Sequence, residues 1–246
     1  LFQRHITALT ALTPEGGLFE VDTRLRPSGK SGPIATSFSR FSLYQHHQAW
    51  TWEHMALTRA RVISANCSAF RSDVEAEVKR VLCRPRDNRR LLRDVADMRE
   101  RIAQEQPCEG IWSLKHLRGG LLDIEFIAQY WALKYAAVNP EILSNNMFDL
   151  IENLARYGYI DIPRSKLLSE ALTFFQALQS IIILTTEAER TNFESNEFSD
   201  PFKDCLASVG DCLNFSTLEA KITDLAADVF KIFEEVIILP SSRLMR

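Results

Sequence analysis

The sequence predicts a mainly α-helical protein: a small α/β remnant over about residues 1–66, a helical connector over 67–110 and an α-helical bundle over 111–246. Three observations predict this. From residue 70 onward, apolar residues recur at spacings of three and four, as one face of a helix requires. Alternation with a period of two, the mark of a half-buried strand, is clearest in LFEVDTRLR at residues 18–26. Capping residues, prolines and glycines punctuate the remainder at helical intervals. Hydrophobic residues make up 46% of the 246 and charged residues 25%, the balance of a globular protein with a sizeable core.

In chain order, Phe2, Ile6 and Leu9 stand at helical spacing, and TPEGG (13–17) breaks that helix. In the strand that follows, Phe19, Val21, Thr23 and Leu25 point one way and Glu20, Asp22, Arg24 and Arg26 the other. One face suits a core and the other is fully ionised. Pro27 to Pro33 (PSGKSGP) is a rigid, exposed loop. IATSFSRFSLYQ (34–45) reads as a short strand turning into a helix. AWTWEHMALTRARVI (49–63) reads as a helix with Trp52, Met55, Ala56 and Arg59 on one face. Ser72 and Glu75 form a capping box ahead of Val74, Val78, Val81 and Leu82, and Pro85 ends that helix.

Leu91, Val95, Met98 and Ile102 give a stripe at i, i+4, i+7 and i+11. The Arg, Asp and Glu residues between Arg84 and Arg101 read as its solvated face. QPCEG (106–110) is a linker, and IWSLKHLRGG (111–120) a short extended piece ending in two glycines. LLDIEFIAQYWALKYAAV (121–138) is apolar nearly all round, which predicts a buried central helix. Later helices run from Asn146 to Tyr157 with Gly158 beyond the end, from Pro163 to about Thr185, and from Pro201 to Gly210. The last opens on a second capping box, Ser216 to Glu219, and carries Leu218, Ile222, Leu225, Val229, Ile232 and Phe233.

Composition excludes several classes. A net charge of −3 argues against wholesale binding to nucleic acid or an anionic membrane. Cys67, Cys83, Cys108, Cys205 and Cys212 are scattered, with no C-x-x-C pair, which predicts reduced thiols in a cytoplasmic protein. No uninterrupted apolar run reaches the ~20 residues that span a bilayer. The chain starts without Met and without a signal peptide, so it is expected to be a piece of something longer.

The ionised strand face is where chemistry is expected. A carboxylate there can bind a hard divalent cation, and residues two apart lie ~7 Å from one another on one face. A metal at Asp22 and the guanidiniums of Arg24 and Arg26 can then address neighbouring phosphates of one nucleotide. Ser28 and Gly29 open a loop whose backbone N–H groups can approach an anion. Lys115 and the glycine turn before Asp123 and Glu125 form a second cluster, although carboxylates in a first helical turn also simply favour the helix dipole. His46, His47 and His54 lack zinc-ligand spacing, and Trp50 and Trp52 read as core more than as adenine-stacking residues.

Three blocks, LFEVDTRLRPSGKSGPIATS (18–37), AWTWEHMALTRARV (49–62) and WSLKHLRGGLLDIEFIAQYWAL (112–133), resemble the bacterial bifunctional glutamine synthetase adenylyltransferase/adenylyl-removing family. The resemblance covers about residues 1–137, with a compatible helical pattern beyond. It implies a DNA polymerase β-like nucleotidyltransferase domain, of which residues 1–66 would be the C-terminal part, followed by helical bundles. One half of such enzymes transfers AMP from ATP to a tyrosine of glutamine synthetase, regulating nitrogen assimilation; the other removes it by phosphorolysis. The removing half reads R-P-F-G and G-R-D-W-E-R-Y. Arg26-Pro27-Ser28-Gly29, Ala49 to His54 and GGLLDIEF with Asp123 are more similar to the C-terminal, adenylylating half.

Under the resemblance, Asp22 is the catalytic third carboxylate of a Mg²⁺ site, with Glu20 a weaker metal ligand. Arg24, Arg26, Ser28, Gly29 and Lys115 contact the nucleotide, and Asp123 and Glu125 are further candidates. ATP, glutamine synthetase and the PII signal protein are the implied partners. The family's other two carboxylates stand in a G-S…D-x-D motif upstream of these blocks, and neither G-S nor D-x-D occurs in this sequence. The chain alone is therefore expected to transfer no AMP. Two rival readings are a PII uridylyltransferase-type enzyme, against which AWTWEHMALTRAR argues, and a non-catalytic helical module that docks glutamine synthetase or PII.

Overall fold

The structure is a computed structural model that describes residues 2–14, 16–17, 21–108, 110–185 and 194–244. The chain forms two compact units, Leu1–Leu82 and Cys83–Arg246, and the fold is mainly helical in both.

The first unit begins with α1 (Phe2–Leu9) and a small antiparallel ladder of β1 (Leu12–Thr13) and β2 (Gly16–Gly17). The Thr13 hydroxyl donates to the Gly16 carbonyl at 2.8 Å and closes the turn. Next come α2 (Phe38–His47), capped by the Ser37 side chain, then α3 (Thr51–Leu57) and α4 (Ser68–Leu82). Both α2 and α3 pack on α4.

The expected strand over 18–26 is not observed in its described part: Val21 to Arg26 is coil and turn, while Phe19 and Glu20 lie outside the described residues. A strand persists only where a neighbour takes up its N–H and C=O groups, and among the described residues the ladder ends at Gly17. Local side chains bind the backbone instead, with Arg24 N–H donating to Asp22 Oδ1 at 2.8 Å. Nor is the short strand at Ile34 formed. The helix expected to reach Ile63 stops at Leu57, and α4 starts at Ser68, which leaves Ser72 and Glu75 inside a helix rather than capping one.

At the centre of the first unit lies a carboxylate. Glu77 on α4 is fully buried and accepts from Ser42 Oγ at 2.5 Å, meets His46 Nε2 at 3.0 Å and pairs with Arg80. Burial alone pushes its pKa up, but Ser42, Arg80 and His46 together outweigh that and hold it below the ordinary value. A depressed carboxylate adds stability above its unfolded pKa and loses it as pH falls through the folded one. We predict that Glu77→Gln destabilises this unit by roughly 1–3 kcal/mol at neutral pH and flattens its acid limb, read as hydrogen exchange of α2 and α4 amides against pH. An unchanged acid limb contradicts the assignment.

The second unit contains α5 (Asn88–Glu105), α6 (Leu121–Tyr135), α7 (Met147–Arg156), α8 (Ile162–Thr185), α9 (Asp200–Val209), α10 (Phe215–Phe233) and α11 (Leu239–Leu244). The all-round apolarity of α6 does place it centrally: every residue from Leu121 to Leu133 except Glu125 is buried, against α5, α7, α8 and α10. α7 is capped by Asn146 and ends at Gly158, whose φ of +76° suits a residue without Cβ. The N-cap of α10 is Asn214 paired with Thr217, not the expected Ser216–Glu219 box. Glu219 is instead drawn to Ser195 and to Trp112, whose indole N–H donates to its carboxylate at 3.2 Å.

α8 is long and apolar enough, by length and composition, to cross a membrane. In this fold its stripe of Leu168, Ala171, Leu172, Phe175, Leu178 and Ile182 is buried within the helical unit. Residues 111–120, expected to be extended, form consecutive tight turns: His116 N–H reaches Ser113 O at 2.9 Å and Gly120 N–H reaches Leu117 O at 2.8 Å. Two glycines and a chain that must reverse onto α6 favour turns over a strand with no partner.

Candidate functional site

The candidate residues fall into two clusters, one in each unit. In the first, Asp22 and Arg24 form a two-pronged ion pair, with Arg24 Nε 2.9 Å from Oδ2 and Nη2 2.7 Å from the same oxygen, both side chains largely exposed. The Asp22 hydrogen bond raises the Arg24 pKa further. Arg26 folds across its own loop: Nη1 donates to Thr23 O at 2.6 Å and Nε to Gly32 O at 3.2 Å. Gly29 N–H donates to Arg26 O at 2.8 Å and Gly32 N–H to Gly29 O at 3.2 Å. A Cβ on Gly32 would stand 2.2 Å from Pro27 O, so the loop closes only with glycine there. Ser28 stands at φ +63° with its backbone hydrogen-bonded to Tyr44, whose hydroxyl donates to Glu53 at 2.8 Å. Burial and the Glu53 bond raise the Tyr44 pKa.

The loop thus gathers Asp22, Arg24, Arg26, Ser28 and Gly29 within a few residues, and their donors and acceptors serve one another in this conformation. Mg²⁺ demands several oxygen ligands in octahedral array. Among the described residues no three His, Cys, Asp or Glu side chains converge, and Asp22 is engaged by Arg24. These residues do not by themselves fit a Mg²⁺ ion; Glu20 lies outside the described residues.

The second cluster surrounds the turn before α6. Asp123 is completely buried, with Oδ1 2.5 Å from Arg99 Nε and Oδ2 accepting from Gly119 N–H at 2.5 Å. Arg99, itself buried, also donates to His116 O at 3.2 Å. Burial pushes the Asp123 carboxyl up, while Arg99 and the Gly119 N–H pull it back down. Burial, Lys115 and Arg99 lower the His116 pKa. Lys115 is exposed and Glu125 half-buried, so this turn brings neither to Asp123's buried oxygens. Arg118 pairs with Glu100 at 2.7 Å on the surface of the same unit.

Arg99 is buried, against the solvated face expected for the charged residues between Arg84 and Arg101. The signal was its position: Leu91, Val95 and Arg99 follow at i+4 steps and are all buried. Arg86 departs from it too, since burial lowers its pKa to about 10 and it donates to Arg84 O at 3.0 Å. His54 is buried with Nε2 3.0 Å from Gln45 O, whereas Trp50, expected in the core, is exposed.

The family model for glutamate-ammonia ligase adenylyltransferase (GlnE) matches residues 1–77. Similarity to known proteins extends well past that stretch, through the later helices. The chain is 42% identical over 235 residues to the bifunctional glutamine synthetase adenylyltransferase/adenylyl-removing enzyme of Xanthobacter autotrophicus, covering 96% of this chain and 23% of the relative. It is 41% identical over 231 residues to that of a Bradyrhizobium species, covering 94% and 23%. For that of Rhodopseudomonas palustris the figures are 41% over 235 residues, 96% and 23%. The chain is thus similar to these adenylyltransferases over nearly its whole length, and it spans about 23% of the length of the relatives it matches.

Proposed function

We propose that this chain is part of a cytoplasmic enzyme that transfers AMP from ATP to a tyrosine of glutamine synthetase, and that it comes from the adenylylating half. The observation that carries this is the 42% identity over 235 residues to an enzyme named for that activity. In this reading a tyrosine hydroxyl attacks the α-phosphate of ATP and pyrophosphate leaves, with the protein supplying position and charge. Arg24 and Arg26, released from Asp22 and from the loop carbonyls, would offer planar donor forks to phosphate oxygens. Asp22 would be one carboxylate among several, the others lying beyond the described residues, and Mg²⁺ and PII are expectations of the same reading.

The test is AMP transfer from labelled ATP to glutamine synthetase by the intact parent protein. Asp22→Asn is expected to lower it at least about 100-fold and Arg24→Ala to weaken ATP binding. Transfer by Asp22→Asn at the unsubstituted rate removes Asp22 from the mechanism. The 246-residue chain alone is expected to label nothing; robust labelling by it contradicts the need for further carboxylates.

A further inference from the structure

We infer that the second unit carries a docking groove for a basic amphipathic helix of a partner polypeptide, an inference that stands apart from the AMP-transfer reading. A groove of about 830 Å³ runs between α8, α10 and the turn joining α9 to α10. Phe174 and Ala177 of α8 and Leu225 of α10 supply apolar lining. Val209, 37% exposed, adds apolar surface at the α9 end. On α10 the lining runs from Thr217 to Asp228, about 16 Å of helix, or three turns. That length matches a short helix seated through residues at i, i+3, i+4 and i+7.

Charge selects the occupant. Glu170, Asp211, Asp224 and Asp228 line the groove and are exposed. Against them the described lining residues include one cation, Lys221, whose Nζ donates to Gly210 O at 2.8 Å and sits 4.7 Å from the centre of the Phe174 ring. Lys166 approaches Glu170 at 3.7 Å from outside the lining. With four carboxylates against one ammonium among the described lining residues, the groove is net negative and complements a basic partner, whose apolar face would cover Phe174, Ala177 and Leu225. Rim charges of this kind steer association and weaken with salt.

The test uses the whole chain and a fluorescent model peptide of about 14 leucines and lysines, with the leucines at i, i+3, i+4 and i+7. Saturable binding is expected by anisotropy, with affinity falling as salt rises. The double variant Asp224→Lys/Asp228→Lys, both sites being exposed, is expected to fold normally by circular dichroism and bind at least about tenfold more weakly. A glutamate-for-lysine peptide should not bind. Equal affinity for the double variant, or for a peptide with its leucines scrambled, overturns the proposal. So does a chain dimer in sedimentation that the double variant abolishes, since the groove would then hold a second copy.

Discussion

Asp123→Ala is expected to cost the Cys83–Arg246 unit about 3–5 kcal/mol, because it breaks a buried ion pair and leaves one charge unmatched. Arg99 is 1% exposed and already has its Nη1 without a hydrogen-bond partner. Losing Asp123 removes the acceptor of its Nε at 2.5 Å and, in the same step, the acceptor of Gly119 N–H at the head of α6. Two buried donors then have neither water nor protein to satisfy them. Urea unfolding of the full chain, followed by helical signal, measures the loss. Removing both charges, as Arg99→Met/Asp123→Leu, should recover much of it, since an apolar pair of similar volume avoids the stranded charge. A loss below about 1 kcal/mol for Asp123→Ala shows that the carboxylate is not structural and returns it to the list of groups that address a ligand.

Gly119→Ala should be nearly as damaging, at about 3 kcal/mol, for two separable reasons. Its φ is +79°, and a Cβ there would lie 1.7 Å from the Ala226 carbonyl oxygen and 2.6 Å from the carbonyl carbon. The obstacle is the backbone of α10, which cannot swing aside as a side chain can. Gly158 provides the internal control. Its φ is +76°, yet nothing lies within 4 Å of its would-be Cβ. Gly158→Ala therefore isolates the conformational part, about 1 kcal/mol, and the difference between the two variants reports the close approach of α10 to the turn. Equal losses for the two would mean that α10 yields freely and that the glycine pair is there for its φ alone.

Both variants probe the same junction of the helical unit. The GGLLDIEF block, so prominent in the sequence, builds a clasp: Gly119 admits α10, its N–H caps Asp123, and Asp123 holds Arg99 of α5. One turn thereby joins α5, α6 and α10. A residue at such a junction leaves a strong sequence signature for reasons of packing, with no ligand required.

The amino-acid sequence by itself determined the helices of the second unit, because their signals are local. The all-round apolarity of α6, the extent of α8 and the Gly158 terminus each depend on neighbours within a few residues, and each is found where expected. The family resemblance was likewise legible in three short blocks, since they carry side chains whose order survives without knowledge of their positions. Tertiary structure alone decided the rest. Alternation at 18–26 is a necessary sign of a strand but not a sufficient one. Without a neighbouring strand among the described residues, the Asp22, Arg24 and Arg26 side chains bind the local backbone and each other. The burial of Arg99 and Glu77 was hidden for a related reason: Asp123, the counter-charge of Arg99, stands 24 residues away, and Ser42, which donates to Glu77, stands 35 residues away, each on another element. A charge reads as solvated until the fold brings its partner to it, and only packing in three dimensions does that.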